Sequence, residues 1–446
     1  MSSGGWAGER AGAVKQGEKP RGKLGLAMCV ALVMGNMIGS GVFLLPASLA
    51  PFGWNAVAGW ALTIAGALAL AAVLARLTVA FPDAGGPTGF VEHAFGRVPS
   101  FMIGWAYWIS VWTANVTLAV AAVSFLSVFA PGLADHMAVT TIALIWIVTA
   151  INWRGARAAG RFQIVTLLIK LVPLAVVIAL IPLAFGSGRP VTLTPFPAEG
   201  LSWTTVSASA IFTLWALLGF ESASVAADKV DRPAITIPRA TMIGTLATGL
   251  LYLIVCSAII LMLPAGAVAK SNAPFSLFVE SYWSHEPALF VAAFAAVSAL
   301  GTLNGWTLVQ AELPAALARQ RLLPAWFARE NRHGTPANAL ILSSAIATVC
   351  VILNDSKSTS EMFNAMLVLS TSVTLWLYLA CAAAALRLGT ATPVAALGLI
   401  YAVWTLWGAG LDVSAMSLIL MAAGLPLYWW TRTRSTPARG EQSPVA

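Results

Sequence analysis

Twelve apolar stretches follow one another along the chain, and this succession restricts the fold more than any other feature. They run over 24–50, 54–80, 99–130, 138–153, 162–186, 203–228, 238–264, 287–317, 337–355, 361–388, 392–411 and 413–431, joined by short polar or Pro/Gly-rich links. About 20 predominantly apolar residues are enough to cross a bilayer as a helix. Only 9% of the residues are charged and 59% are hydrophobic, with a mean hydropathy of +0.83. A soluble domain carries about a quarter charged residues, so this chain has too few to solvate its surface. The expectation is an all-α integral membrane protein of twelve transmembrane helices. The first 23 residues are polar and the apolar run after them is too long for a signal-peptide core, so that run is expected to be a retained span.

Basic residues set the orientation. Twelve spans place both termini on one side, and 21 of the 25 Lys and Arg fall in the tails, the loops and the span ends of that side. Arg189, Lys270 and Lys357 fall on the other side, and Lys170 lies inside a span. By the positive-inside rule both termini are expected in the cytoplasm. The net charge of +8 is then a signature of orientation and not of nucleic-acid binding. Cys29, Cys256, Cys350 and Cys381 all lie in apolar segments without a CxxC pair, which argues against a disulfide framework or a metal site.

Two of the spans are interrupted. "GNMIGSG", residues 35–41, puts three glycines, an asparagine and a serine in the middle of the first stretch. "IFTLWALLGFESASVAA", residues 211–227, does the same in the sixth, with Gly219 followed by Glu221, Ser222 and Ser224. Glycine weakens a helix, and unwound backbone at membrane depth is tolerated only where it is buried in protein or lines a wet cavity. The breaks lie five helices apart, and a repeat of five helices must be inverted in the membrane. Paired broken helices in inverted halves point to a transporter's central site. The domain reading is a cytoplasmic tail at 1–23, repeats at 24–186 and 203–388, two peripheral helices within 392–431, and a cytoplasmic tail at 432–446. N–H groups near Gly39, Ser40 and Gly41 suit a carboxylate, and carbonyls near Met37, Trp215 and Leu218 suit an ammonium. A glycine-rich packing face is the plainer alternative for the first break taken alone.

The stretches "GNMIGSGVFLLP", "LWALLGFESASVAA" with the basic, Pro-containing loop after it, and "GWTL" at 305–308 resemble the amino acid–polyamine–organocation superfamily. Within it they look most like the basic amino acid/polyamine antiporters, and there like the members that exchange arginine for agmatine. The likeness extends from about residue 24 to 430. It implies a LeuT-type inverted repeat of five plus five helices, broken at helices 1 and 6, with two helices added. It implies that Asn36, Ser40 and Gly41 form the carboxylate-binding break and that Trp215 is an aromatic lid. Asn115, Trp306 and Ser370 correspond to substrate contacts, and Tyr107, Glu221 and Tyr378 to an outer gate. Ser110 and Val111 occupy positions near the substrate's cationic end where arginine exchangers carry other residues. Lys170, in "VTLLIKLVPL", resembles a span-five lysine of other amino-acid permeases in the superfamily and could occupy the space that sodium fills in ion-coupled relatives.

Charged groups inside spans are rare and functional by default. Glu221 could trade a proton for a cationic substrate, or pair structurally with Lys170 or a backbone group. Lys170 could tie spans together or snorkel. Most of the 18 tryptophans are expected in belts or packing. Asn115 could equally join two helices. A nucleotide-binding GxxxxGK[ST] loop is absent, and His93, His136, His285 and His333 all lie in loops or at helix ends. The expected function is alternating-access exchange of a cationic amino acid for its amine in a bacterial inner membrane, without covalent chemistry or a cofactor. The rivals are a proton-coupled symporter or an exchanger of neutral amino acids, and further off a channel or a membrane receptor. Expected partners are a small-molecule substrate and the bilayer, with a second copy of the chain as a candidate.

Overall fold

The computed structural model describes residues 25–39, 41–84, 86–154, 169–186, 191, 193–221 and 230–435. Among them the regular structure is helical, apart from one isolated bridge between Glu330 and Pro336. In chain order the α-helices begin with α1 (Leu26–Met37), α2 (Gly41–Leu49), α3 (Trp54–Ala80), α4 (Pro87–Phe95) and α5 (Arg97–Leu126). Next come α6 (Gly132–Asp135), α7 (Met137–Trp153), α8 (Leu171–Gly186), α9 (Trp203–Leu217) and α10 (Pro233–Met262). Then follow α11 (Ala265–Ala269), α12 (Pro274–Tyr282), α13 (His285–Arg319) and α14 (Ala337–Leu353). The last are α15 (Thr359–Arg387), α16 (Thr392–Gly408), α17 (Leu411–Ala422) and α18 (Leu425–Ser435).

Each of the twelve expected stretches carries a helix. Six helices, α3, α5, α10, α13, α15 and the run Leu411–Thr433, are long and apolar enough to cross a bilayer. Leu26–Met37 and Gly41–Phe52, bent by 51° at a short break, would make a seventh. The helices α7, α8, α9, α14 and α16 are apolar but shorter, at 10–17 residues. The expected tail 1–23, residues 436–446 of the expected tail 432–446, residues 162–168 of the fifth stretch and residues 222–228 of the sixth lie outside the described residues, and residues 432–435 continue helix α18.

Local chemistry explains where the helices start. α15 opens on a capping box: Ser358 Oγ accepts from the Glu361 N–H, and the Glu361 carboxylate accepts from the Ser358 N–H at 2.9 Å. Ser202 caps α9 in the same manner from its side chain. Proline occupies the first turn of α4, α10, α12 and α16, where its missing N–H costs nothing. Inside the spans, hydroxyls such as those of Thr113 and Thr374 return to the carbonyl four residues back and so lose no hydrogen bond to lipid.

Burial separates centre from rim. In the most apolar part of α5, 89% of residues are buried inside the protein, against 22% for Leu411–Thr433. α5 therefore runs through the middle of the bundle, packed against α13 and α15. The last run faces outward. The site is built where the broken helices meet this central set.

Candidate substrate-binding site

α1 stops at Met37. The Ile38 N–H still bonds Met34 O at 2.7 Å, but Ile38 has ψ 86° and the Gly39 N–H turns back to Met37 O at 2.8 Å. The helix resumes as α2 at Gly41. α9 stops at Leu217: Leu218 is extended, with ψ 144°, and Gly219 has φ 111°. That φ is one that residues with a Cβ rarely adopt. The two breaks touch. A Cβ on Gly219 would lie 3.1 Å from Asn36 O, so the second break needs a glycine both for its backbone and for its neighbour.

Between the breaks lies a cavity of about 50 Å³. Asn36, Met37, Gly41, Trp215, Leu218 and Trp306 line it, all of them anticipated from the sequence. The start of α2 forms one wall, which brings the positive end of a helix dipole to the cavity. Trp215 closes the cavity. A side-chain carbon at Gly41 would fall inside its indole ring, and Phe363 of α15 meets that ring edge-on at 5.8 Å. A substrate group brought against the backbone at Gly41 requires Trp215 to swing off that glycine.

Two backbone oxygens at the first break, Met37 O and Gly35 O, are already engaged. Tyr252 of α10 donates its hydroxyl to Met37 O at 3.0 Å, beside the Gly39 N–H bond to the same oxygen. Lys170, 1% exposed at the start of α8, donates to Gly35 O at 3.3 Å. Lys170 thus pins the end of α1 to α8, and no ion pair joins it to Glu221. Ser40 lies outside the described residues.

Beside the second break, Glu221 is buried and accepts three hydrogen bonds. Tyr107 of α5 donates to Oε1 at 3.0 Å. Tyr378 of α15 donates to Oε2 at 2.9 Å, and the Gly219 N–H donates to the same oxygen at 3.1 Å. Phe220 stacks on Tyr378 with ring centroids 4.9 Å apart. Tyr107, Glu221 and Tyr378 therefore form one cluster, and it joins the end of α9 to two central helices.

Ser110, Val111, Asn115 and Ser370 are brought near the site but do not line the cavity. Ser370 donates to Ser110 O at 2.9 Å, Ser110 donates to Tyr107 O at 2.8 Å, and Val111 is buried on the same face of α5. Asn115 donates to Gln310 Oε1 at 2.6 Å. Gly39, named for its N–H group, lines the cavity as well, whereas the sequence reading missed Val42, Ala114, Leu118, Ala216 and Thr302 as lining residues, along with Tyr252 and Gln310 as neighbours of the site. Tyr252 and Gln310 carried a signal, a polar group in an apolar span. The small and aliphatic residues carried none.

A family model described as amino acid permease matches residues 24–433. The chain belongs to this family. The cadaverine/lysine antiporter of Escherichia coli (strain K12) is 32% identical over 336 residues, 74% of each chain. The putrescine transporter PotE of Haemophilus influenzae is 28% identical over 419 residues, 91% of this chain and 96% of that one. PotE of Escherichia coli (strain K12) is 27% identical over 421 residues. These relatives set the chain in the basic amino acid/polyamine antiporter branch of the amino acid–polyamine–organocation superfamily.

Proposed function

We propose that this permease exchanges a cationic amino acid for its decarboxylated amine across a bacterial inner membrane, by alternating access around the cavity between the two breaks. The observation that carries the reading is the contact of the break after α1 with the end of α9, at Asn36 and Gly219, with Trp215 lying over Gly41 at the cavity they frame. A site of this kind binds and releases a solute without making a covalent bond. The names of the relatives favour lysine with cadaverine, or an amino acid with putrescine. Arginine with agmatine, the pair suggested by the motifs at 35–46 and 215–224, is the competitor to be tested.

In this mechanism the substrate carboxylate sits at the start of α2, near Ser40 and Gly41, and its α-ammonium sits among the carbonyls of the breaks. Its cationic end lies towards Trp306, Asn115, Ser110, Val111 and Ser370. Trp215 caps it, Glu221 with Tyr107 and Tyr378 forms the outer gate, and Lys170 stands where relatives driven by an ion would hold that ion. The arrangement is a LeuT-type one of twelve spans, with repeats at 24–186 and 203–388 and cytoplasmic termini.

Proteoliposomes test the reading. Vesicles loaded with cadaverine, putrescine, agmatine, lysine, arginine or leucine are given labelled lysine or arginine, with and without a pH gradient. Exchange predicts uptake into vesicles loaded with a matching amine and none into empty ones. Equal uptake into empty vesicles under a pH gradient would establish proton symport instead. Uptake driven by loaded leucine would favour a neutral amino-acid exchanger.

A further inference from the structure

A buried relay of side-chain hydrogen bonds leads from α7 to the wall of the cavity. Thr149 on α7 donates its hydroxyl proton to Ile145 O at 2.7 Å. The Thr149 oxygen also lies 2.7 Å from Ser344 Oγ on α14. A hydroxyl has a single proton, so Ser344 must be the donor to Thr149. Ser344 then has only lone pairs to offer Gln310, whose Nε2 donates to it at 3.0 Å. Gln310 Oε1 therefore faces the opposite way and accepts from Asn115 Nδ2 at 2.6 Å. Each step fixes the next, and what is left over at the end is Asn115 Oδ1. That oxygen is buried and has no partner among the described residues, and Asn115 is 2% exposed. With Gln310 reversed, Asn115 would instead have an NH₂ donor left over.

The relay ends at the right place. Asn115 follows Ala114 on α5, and Ala114 and Leu118 both line the cavity. Gln310 lies one turn beyond Trp306 on α13, and Trp306 lines it too. The backbone of Gln310 is held as well. Pro314 has no N–H for Gln310 O; the single Ser343 hydroxyl proton is shared between Ala339 O at 2.8 Å and Gln310 O at 3.2 Å, and Ser343 Oγ accepts from Trp108 Nε1 at 2.9 Å.

A buried acceptor without a donor is costly, and each such group calls for an explanation. We propose that Gln310 is a positioning residue: it fixes Asn115 as an acceptor, so that the site takes a substrate whose side chain ends in an ammonium. It thereby rejects one that ends in a methyl group. The proposal rests on the reading of the chain as an exchanger of cationic amino acids. Asn115 touches the substrate, and Gln310 acts through it.

The test compares lysine with norleucine, which is lysine without its terminal amine. Uptake of labelled lysine into amine-loaded proteoliposomes is competed with each compound unlabelled. The wild type should prefer lysine by at least about tenfold. Gln310→Leu should cut that ratio by about tenfold through weaker lysine binding, with norleucine unchanged. A packing defect would weaken both compounds alike. Gln310→Glu accepts from Asn115 as the wild type does and should keep the preference. Thr149→Val removes the first proton of the relay, lets Ser344 donate towards Gln310, and should lower the ratio by at least about threefold. This variant carries the test if Gln310→Leu does not fold. A ratio unchanged in these variants, lost in Gln310→Glu, or absent from a wild type that exchanges lysine would overturn the positioning role alone. A wild type that exchanges no cationic amino acid would overturn the functional reading and take the positioning role with it.

Discussion

Glu221 accepts from two phenols and one backbone N–H, and an ionised carboxylate is the form that can take all three bonds. Protonation turns one oxygen into a donor and takes one of its lone pairs, so at least one of the three bonds is weakened, broken or reversed. Binding a proton would thus loosen the link between the end of α9 and α5 or α15. Glu221→Gln fixes that loosened pattern permanently, because its amide nitrogen cannot accept. The mutant should still bind substrate at neutral pH, exchange it slowly and show no pH dependence, read as exchange rate against pH. A Gln mutant that keeps the wild-type pH profile would exclude Glu221 as the switch. Since Lys170 bonds Gly35 O and not Glu221, Lys170→Met should not rescue it. Trp215 makes a separate prediction. Trp215→Ala removes cation–π and packing contacts worth roughly 1–3 kcal/mol, or about one to two decades of affinity. The loss should be larger for lysine than for norleucine in the same competition assay, and equal losses would mean that Trp215 only packs.

At the scale of the element, the break after α1 and the end of α9 were legible because glycines in the middle of an apolar run weaken the helix there. The sequence located the first break at 35–41 and the second at Gly219, and the helices end at Met37 and Leu217. The use made of one glycine was not legible. Gly41 was expected to leave room for a carboxylate, whereas in the closed site that room is taken by the Trp215 ring. No periodicity in residues 35–46 can report a ring that comes from residue 215. The relay through Thr149, Ser344 and Gln310 was hidden for the same reason: each member is an ordinary polar residue in its own helix, and only packing aligns them. Gly41→Val should therefore do two things. It should weaken substrate binding, and it should expel Trp215, raising its exposure to an aqueous quencher of tryptophan fluorescence relative to wild type. Lost binding with an undisturbed Trp215 would mean that Gly41 acts on the substrate directly. Gly219→Ala forces a Cβ into φ 111° against Asn36 O and should cost roughly 1–3 kcal/mol of stability, read as a lower melting temperature.

For the whole molecule, the proposed exchange of lysine for cadaverine makes a prediction that follows from the charges of the two solutes. At neutral pH lysine carries one net positive charge and cadaverine two. One-for-one exchange of the two therefore moves one net charge across the bilayer per cycle, unless a proton accompanies it. Moving one elementary charge is worth about 2.3 kcal/mol per 100 mV, or nearly two decades in the ratio of gradients that balances the cycle. The central cluster offers one candidate for a compensating proton, Glu221, because it is the buried carboxylate joined to both the second break and the central helices. The wild type in cadaverine-loaded vesicles should thus accumulate lysine in proportion to an imposed potassium-diffusion potential, positive inside, because each cycle exports one net charge. If Glu221 hands over a proton in every cycle, the voltage response vanishes in the wild type and appears in Glu221→Gln. If Glu221 only gates, the voltage response is the same size in both proteins while the mutant is slower. Initial rates and final accumulation, measured in the same vesicles, separate the two: gating changes the rate alone, and coupling changes the level at which uptake stops.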